Sequence, residues 1–537
     1  MKHKITFFIL SCFFAISGQG QYISGVTYPD TTVASVSDST LKYVRSITRE
    51  DMKKHLSILA SDEFEGRETG TEGNEKAAKY IASQFRSMGM PAVGDSSDYF
   101  QSVNFTWVTW DDISITVNDE KYRHLWDFLS YNTENNNMPE FSTDEVVFLG
   151  YGIDDASYSD YKDVDVEGKV ILIYKGEPTD ENGKSWVTGT DQMSKWSMDP
   201  KMKLEAAYHR RVKAVLIIED KLKERVAEDR RLLLSPRVLL GDPNTGNIPQ
   251  ANNCYISTNL AKAIIGKKFK KLVKTRDKIN KKGENRHLVL KIDLTLNMRK
   301  KMRSLAGVNI LGYIKGTNPL LTDELVVVSA HYDHIGKRGA SINNGADDNG
   351  SGTTTVLEIA EALTMARKDG VGPQRSVLCL LVTGEEKGLL GSDFYSQNPV
   401  FPLENTIVDV NIDMVGRVDG NYVDEPEYIY VIGSDRLSSD LHHINEQINQ
   451  KYQQLILDYK YNDEKDKNRF YYRSDHYNFA KNGIPAIFFF NGTHPDYHRP
   501  SDTVDKIRFD IMEKRGRHIF SLIWDLANRD QKIRLNE

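Results

Sequence analysis

Cysteine is nearly absent: the 537 residues contain three, and one of these, Cys12, falls in the opening apolar run. The other two, Cys254 and Cys379, are far apart and each sits in an apolar, strand-like run. Buried free thiols are therefore expected rather than a disulfide framework. An excess of one charge is also missing. The 76 acidic and 70 basic residues leave a net charge of −6, which gives no electrostatic reason to expect nucleic acid as a partner. After the first twenty residues no apolar run approaches the roughly 18 residues of a membrane helix, so no stable membrane insertion is expected. There is no internal repeat and no low-complexity tract. With 39% hydrophobic and 27% charged residues, the composition is that of ordinary globular domains.

The first twenty residues, MKHKITFFILSCFFAISGQG, combine a basic start, a short apolar run and small residues. This reads as a signal peptide over 1–20, cleaved on export to a periplasmic or secreted location. The alternatives are an uncleaved anchor and a lipid on Cys12. The apolar run is too short for the first and continues beyond Cys12, against the second.

Residues 21–140 begin with two helical patterns, LKYVRSITREDMKKHLSILA and NEKAAKYIASQFRSMGM, around the polar loop SDEFEGRETGTEG. The second pattern places Ala77, Tyr80, Ile81 and Phe85 on one face, which should pack on something larger. Residues 141–285 change to short β-like runs separated by polar loops, a compact β-rich module. It ends in a lysine-rich stretch that reads as a solvated helix face. Residues 286–537 alternate continuous apolar strands with helices, which argues for a mainly parallel sheet covered on both faces.

In such sheets ligands gather beyond the carboxyl ends of the strands. ELVVVSA is followed by His331 and Asp333, SVLCLLVTG by Glu385 and Glu386, and Asp413 lies near the end of NTIVDVNIDMVG. The last apolar strand leads into NGTHPDYHRPSDT, and NNGADDNGSG carries Asp347 and Asp348. A glutamate pair directly after a buried strand is costly without a counter-cation. Histidines mixed with carboxylates suit a divalent ion, zinc among the transition metals. Two ions fit the ligand count better than one, with one carboxylate bridging them and another left outside as a proton carrier. The residues alone do not separate Asp347 from Asp348 as the bridge.

AHYDHIG, GADDNGSG, TGEEKGLLGS, NIDMVG and YHRPSDT, in this order, closely resemble the motifs of the co-catalytic zinc exopeptidases. That group includes bacterial leucyl aminopeptidases, aminopeptidase Y, glutamate carboxypeptidase and glutaminyl cyclase. The resemblance implies an α/β zinc-exopeptidase fold: a mixed, mainly parallel central sheet flanked by helices. On this reading 21–140 is the N-terminal part of the peptidase domain, 286–537 its catalytic part, and 141–285 resembles an inserted protease-associated domain.

The same resemblance implies two Zn2+ ions and peptide substrates, and leaves oligomeric state open. Asp348 becomes the bridging ligand, His331 and Asp413 hold one ion, and Glu386 and His498 the other. Glu385 becomes the general base, Asp333 the partner that orients His331, and Tyr497 a donor to the oxyanion. His334, His476 and His494 lie near the motifs but receive no ligand role, and Arg473 is a possible clamp for a substrate carboxylate. The implied activity is that of an aminopeptidase. Its alternatives are a carboxypeptidase with the same metals, a glutaminyl cyclase and a non-catalytic binding protein; the complete ligand set argues against the last two.

Overall fold

The computed structural model describes residues 38–241 and 248–537; the expected signal peptide over 1–20 and Cys12 lie outside them. Helices Asp38–Ser46, Arg49–Leu59 and Glu72–Met88 open the described chain. In the third, Thr71 Oγ1 accepts the Asn74 N–H, Glu72 and Glu75 occupy the first turn, and Gly89 at φ 80° ends it in a left-handed cap. Ala77, Ile81 and Phe85 are fully buried along one stripe, while Tyr80 is half-buried at its edge.

The main strands are β1 (Phe100–Val117), β2 (Met138–Phe148), β3 (Val170–Tyr174), β4 (Ala214–Ile218), β5 (Asn252–Ile256) and β6 (Leu288–Ile314), then β7 (Leu325–His331), β8 (Ser376–Val382), β9 (Thr406–Ile412), β10 (Tyr428–Ile432), β11 (Ile456–Asp458) and β12 (Ala486–Phe490); further short strands complete the sheet. The sheet that carries the candidate site runs β11-β10-β12-β9-β7-β8-β6. Its centre, β12-β9-β7-β8, is parallel, while β10 and β6 flank it antiparallel. Every residue of β7, β8, β9 and β12 is buried, which is why these segments read as unbroken apolar runs. Helices Gly352–Lys368 and Phe509–Asn528 join the N-terminal helices over one face. Tyr395 and Phe479, from helices Leu390–Gln397 and His476–Ala480, cover part of the other.

The same sheet continues into a second module through β6, whose first half pairs with β2, followed by β3, β4 and β5. β1 runs antiparallel along β6 from Phe100 opposite Ile310 to Val117 opposite Leu294, so two long strands tie the modules together. The second module has its own core, drawing on Ile115, Phe128, Val146, Leu216 and Met298. Its lysine-rich helix Phe269–Lys282 buries Leu272 and Ile279 and leaves its lysines exposed. Cys254 and Cys379 are buried free thiols. Among the described residues no helix is long and apolar enough to cross a membrane.

Candidate metal centre

Four parallel strands end at one edge, and each delivers part of a buried cluster. His331 is the last residue of β7; its Nδ1 lies 3.0 Å from the Asp333 carbonyl oxygen. That contact directs Nε2 into the cluster, 3.4 Å from Asp348 Oδ1 and 3.4 Å from Asp413 Oδ1. Asp413 follows β9, and its Oδ2 accepts the Ser474 hydroxyl at 2.7 Å. Glu385 and Glu386 follow β8 on a turn opened by Gly384 at φ 77°. Glu385 Oε2 lies 3.7 Å from His331 Nε2. Glu386 faces the other way, its Oε1 3.2 Å from His498 Nε2, which itself lies 3.0 Å from Asp348 Oδ2.

The two oxygens of Asp348 thus point to two different groups of donors. Two such groups could hold a metal ion: His334, Asp348, Glu386 and His498, and beside it His331, Glu385 and Asp413. The electrostatics fit a cation. Asp333, Asp348, Glu385, Glu386 and Asp413 crowd three imidazoles in a site with little solvent. Burial pulls the His331 imidazole down, yet the Glu385 and Asp413 charges raise it well above its ordinary value. Burial likewise opposes protonation of His498, but the Asp348 and Glu386 carboxylates beside it push it up to about 10. Burial raises Glu385 well above the carboxylate range, with Glu386 and Asp413 adding to it against the pull of His331. Glu386 also suffers burial, but His334 and His498 hold it well below that range. Protons gather on His331 and His498 because carboxylates crowd both, and a divalent ion would take their place.

The roles of the two adjacent aspartates separate in the structure. Asp347 turns away from the cluster: its Oδ1 accepts the Ser351 hydroxyl at 2.9 Å and the Gly416 N–H at 2.7 Å. Its Oδ2 lies 3.1 Å from both Asn491 Nδ2 and His494 Nε2. Asp502 Oδ2 accepts the N–H groups of both Asp347 and Asp348. Asn349 completes the turn, donating to the Ile412 carbonyl and accepting from Gly352 and Met414. A Cβ on Gly352 would collide with Asn349 and the Ile412 carbonyl, so the glycine allows this turn to lie against the end of β9.

Asp333 acts on His331 through its backbone. Its buried carboxylate, 3.8 Å from His331 Nδ1, instead accepts the Thr69 hydroxyl and the Glu385 N–H. Tyr497 stacks on His498 with ring centres 4.0 Å apart and places its hydroxyl 3.5 Å from Arg473 Nη2. Arg473 lies over the Phe470 ring. His476 is no part of the cluster; it stacks on Phe488, and burial lowers it to about 3. Asp475, buried beside the site, accepts the Ser392 hydroxyl and is raised to about 7, chiefly by burial.

His334, to which the motifs give no ligand role, places its Nδ1 2.9 Å from Glu386 Oε1. Arg67 lies outside the motifs altogether. This buried guanidinium donates to the carbonyls of Leu59, Tyr332, Asn344 and Gly345, clamping the His331 and Asp348 loops to the N-terminal helices. The only sequence signal for His334 is its place beside Asp333 in HYDH; Arg67 carries none.

Fold and site together define an α/β protein with ligand-type residues at the carboxyl edge of a parallel sheet. Residues 309–523 match Peptidase family M28. A "Probable leucine aminopeptidase" of Trichophyton verrucosum (strain HKI 0517) is 30% identical over 221 residues, 40% of this chain and 57% of that protein. "Aminopeptidase YwaD" of Bacillus subtilis (strain 168) is 27% identical over 265 residues, 47% of this chain and 51% of that protein. The chain thus spans little more than half the length of these relatives. A solved "Aminopeptidase from Aneurinibacillus sp. strain AM-1" shares the fold, with a TM-score of 0.51 at 19% identity, covering 93% of this chain and 97% of that one. All of the clustered residues, from His331 to His498, fall inside this M28-like segment.

Proposed function

We propose that the protein is an exported aminopeptidase that removes N-terminal residues from peptides with two zinc ions. The observation that carries this is the division of Asp348, Oδ1 toward His331 and Oδ2 toward His498. On this reading His331 and Asp413 would hold one ion and Glu386 and His498 the other, with Asp348 facing both groups. Bound zinc supplies Lewis-acid polarisation of the scissile carbonyl and a more acidic water.

Glu385 stands beside this pair as proton carrier. Its backbone N–H is fixed by Asp333 Oδ1 at 3.2 Å, and its carboxylate takes the proton of the attacking water and returns it to the leaving amine. The Tyr497 hydroxyl lines the same cleft and donates to the oxygen on which charge develops. Met414, Phe470, Phe488 and Phe490 line its wall, which suits an apolar side chain at the cleaved residue. The β-rich module is the protease-associated domain of this reading, and limits the size of peptide that reaches the cleft.

Arg473 favours a second reading. Its guanidinium lines the cleft beside Tyr497, where it would pair with a terminal carboxylate in a carboxypeptidase. Mass spectrometry of an unblocked mixed-composition peptide, incubated with the zinc-loaded protein, distinguishes them. Stepwise loss from the N-terminus, absent with Glu385→Gln, is expected. Loss from the C-terminus would replace the aminopeptidase by the carboxypeptidase, and an intact peptide would overturn both.

A further inference from the structure

His334 is fully buried, and among the described residues neither ring nitrogen has a hydrogen-bond partner. Glu386 Oε1 is equally without one, although His334 Nδ1 lies 2.9 Å away. The distance is short but the alignment is not that of a hydrogen bond. An imidazole and a carboxylate oxygen left in this state are costly to bury, unless a third body satisfies both. The same nitrogen lies 3.6 Å from Asp348 Oδ2, and His498 Nε2 lies 3.0 and 3.2 Å from these two oxygens. Four donors, two nitrogens and two oxygens, therefore stand 2.9–3.6 Å apart along these contacts. A tetrahedron with zinc bonds of about 2.0 Å has edges of about 3.3 Å.

We propose that His334 is a fourth protein ligand on the Glu386–His498 side, beyond the five ligands that the motifs supply. This rests on the two-zinc reading above. The surroundings hold the ring in place. The His334 N–H donates to the Arg67 carbonyl at 3.3 Å, and Gly345 lies so close that a Cβ there would enter the imidazole. The consequence is an asymmetric pair. Four protein donors fill one side in the manner of a structural zinc site, while His331, Asp348 and Asp413 leave the other side open toward Glu385. Substrate is then engaged on the His331 side.

Zinc content, together with X-ray absorption at the zinc edge, tests this directly on the intact chain. The expected result is two zinc ions per chain sharing three imidazoles, and two imidazoles in His334→Ala. Competition with a chelating dye should show zinc affinity falling about 10-fold or more at one site of the variant, with the other unchanged. His334→Asn, which can donate to Glu386 but is a poor zinc ligand, should show the same fall. Two zinc ions with two imidazoles in the wild type would overturn the His334 assignment and leave the two-zinc reading standing; this holds even if the variants fail to fold. Fewer than two zinc ions per chain would overturn both.

Discussion

Glu385 and Glu386 are neighbours in sequence with opposite electrostatics. Glu386 faces His334 and His498 and is held well below the carboxylate range, whereas burial holds Glu385 well above it. That contrast gives one glutamate to a cation and the other to a proton. Glu385→Gln should lower kcat by about 10²–10⁴-fold with KM nearly unchanged, since the amide keeps the shape but cannot take up and return a proton. Tyr497→Phe should lower kcat by up to about 10²-fold, again with little change in KM, if its hydroxyl serves the transition state alone; steady-state kinetics on a chromogenic amino-acid amide would measure both.

At this scale much of the cluster was legible, because each ligand type follows an apolar strand. The division between Asp347 and Asp348 was not, since it depends on Ser351, Gly416, Asn491 and Asp502 meeting one of two adjacent carboxylates. His334 was hidden for a similar reason. Only the fold of the loop brings it to Glu386.

Helices and strands show the same split between local pattern and tertiary context. The buried strands β7, β8 and β9 and the stripe of Glu72–Met88 are written in apolar spacing. The full length of β6 is not: its middle, around Lys300, Lys301 and Arg303, is largely exposed and charged, so the segment does not read as one strand. Pairing with β1 holds it extended through this stretch.

Within the helical layer, Glu358 of helix Gly352–Lys368 is buried, accepts the Thr48 N–H at 3.3 Å, and is raised to about 8, mainly by burial. The folded state thus keeps a proton that the unfolded chain releases near pH 4.5, so this group's contribution falls as pH rises from there to about 8 and is constant above it. Glu358→Gln should therefore raise Tm at pH 8–9, with the gain vanishing near pH 4.5; thermal melts of both proteins across that range would show it. Arg67 makes the opposite case. Arg67→Met would leave several buried carbonyls unpaired and should cost about 3–5 kcal/mol in denaturant unfolding.

The described residues form two modules, each with a core of its own, along one continuous sheet and joined by β1 and β6. The metal-type cluster belongs to the first core alone, at the carboxyl ends of its four parallel strands. Its carboxylates repel one another without a cation, so chelator treatment should lower Tm and zinc should restore it. A ligand present at about 100 times its Kd adds about 2.7 kcal/mol to the folded state, and calorimetry with stepwise zinc would follow the recovery.

The central proposition is that Asp348 is shared by two zinc ions, and diffraction at the zinc absorption edge from crystals of the zinc-loaded chain tests it most directly. The expected result is two anomalous peaks about 3.5–4 Å apart, one beside Asp348 Oδ1 with His331 and Asp413, the other beside Oδ2 with Glu386 and His498. A single peak, or two peaks without Asp348 between them, would contradict it.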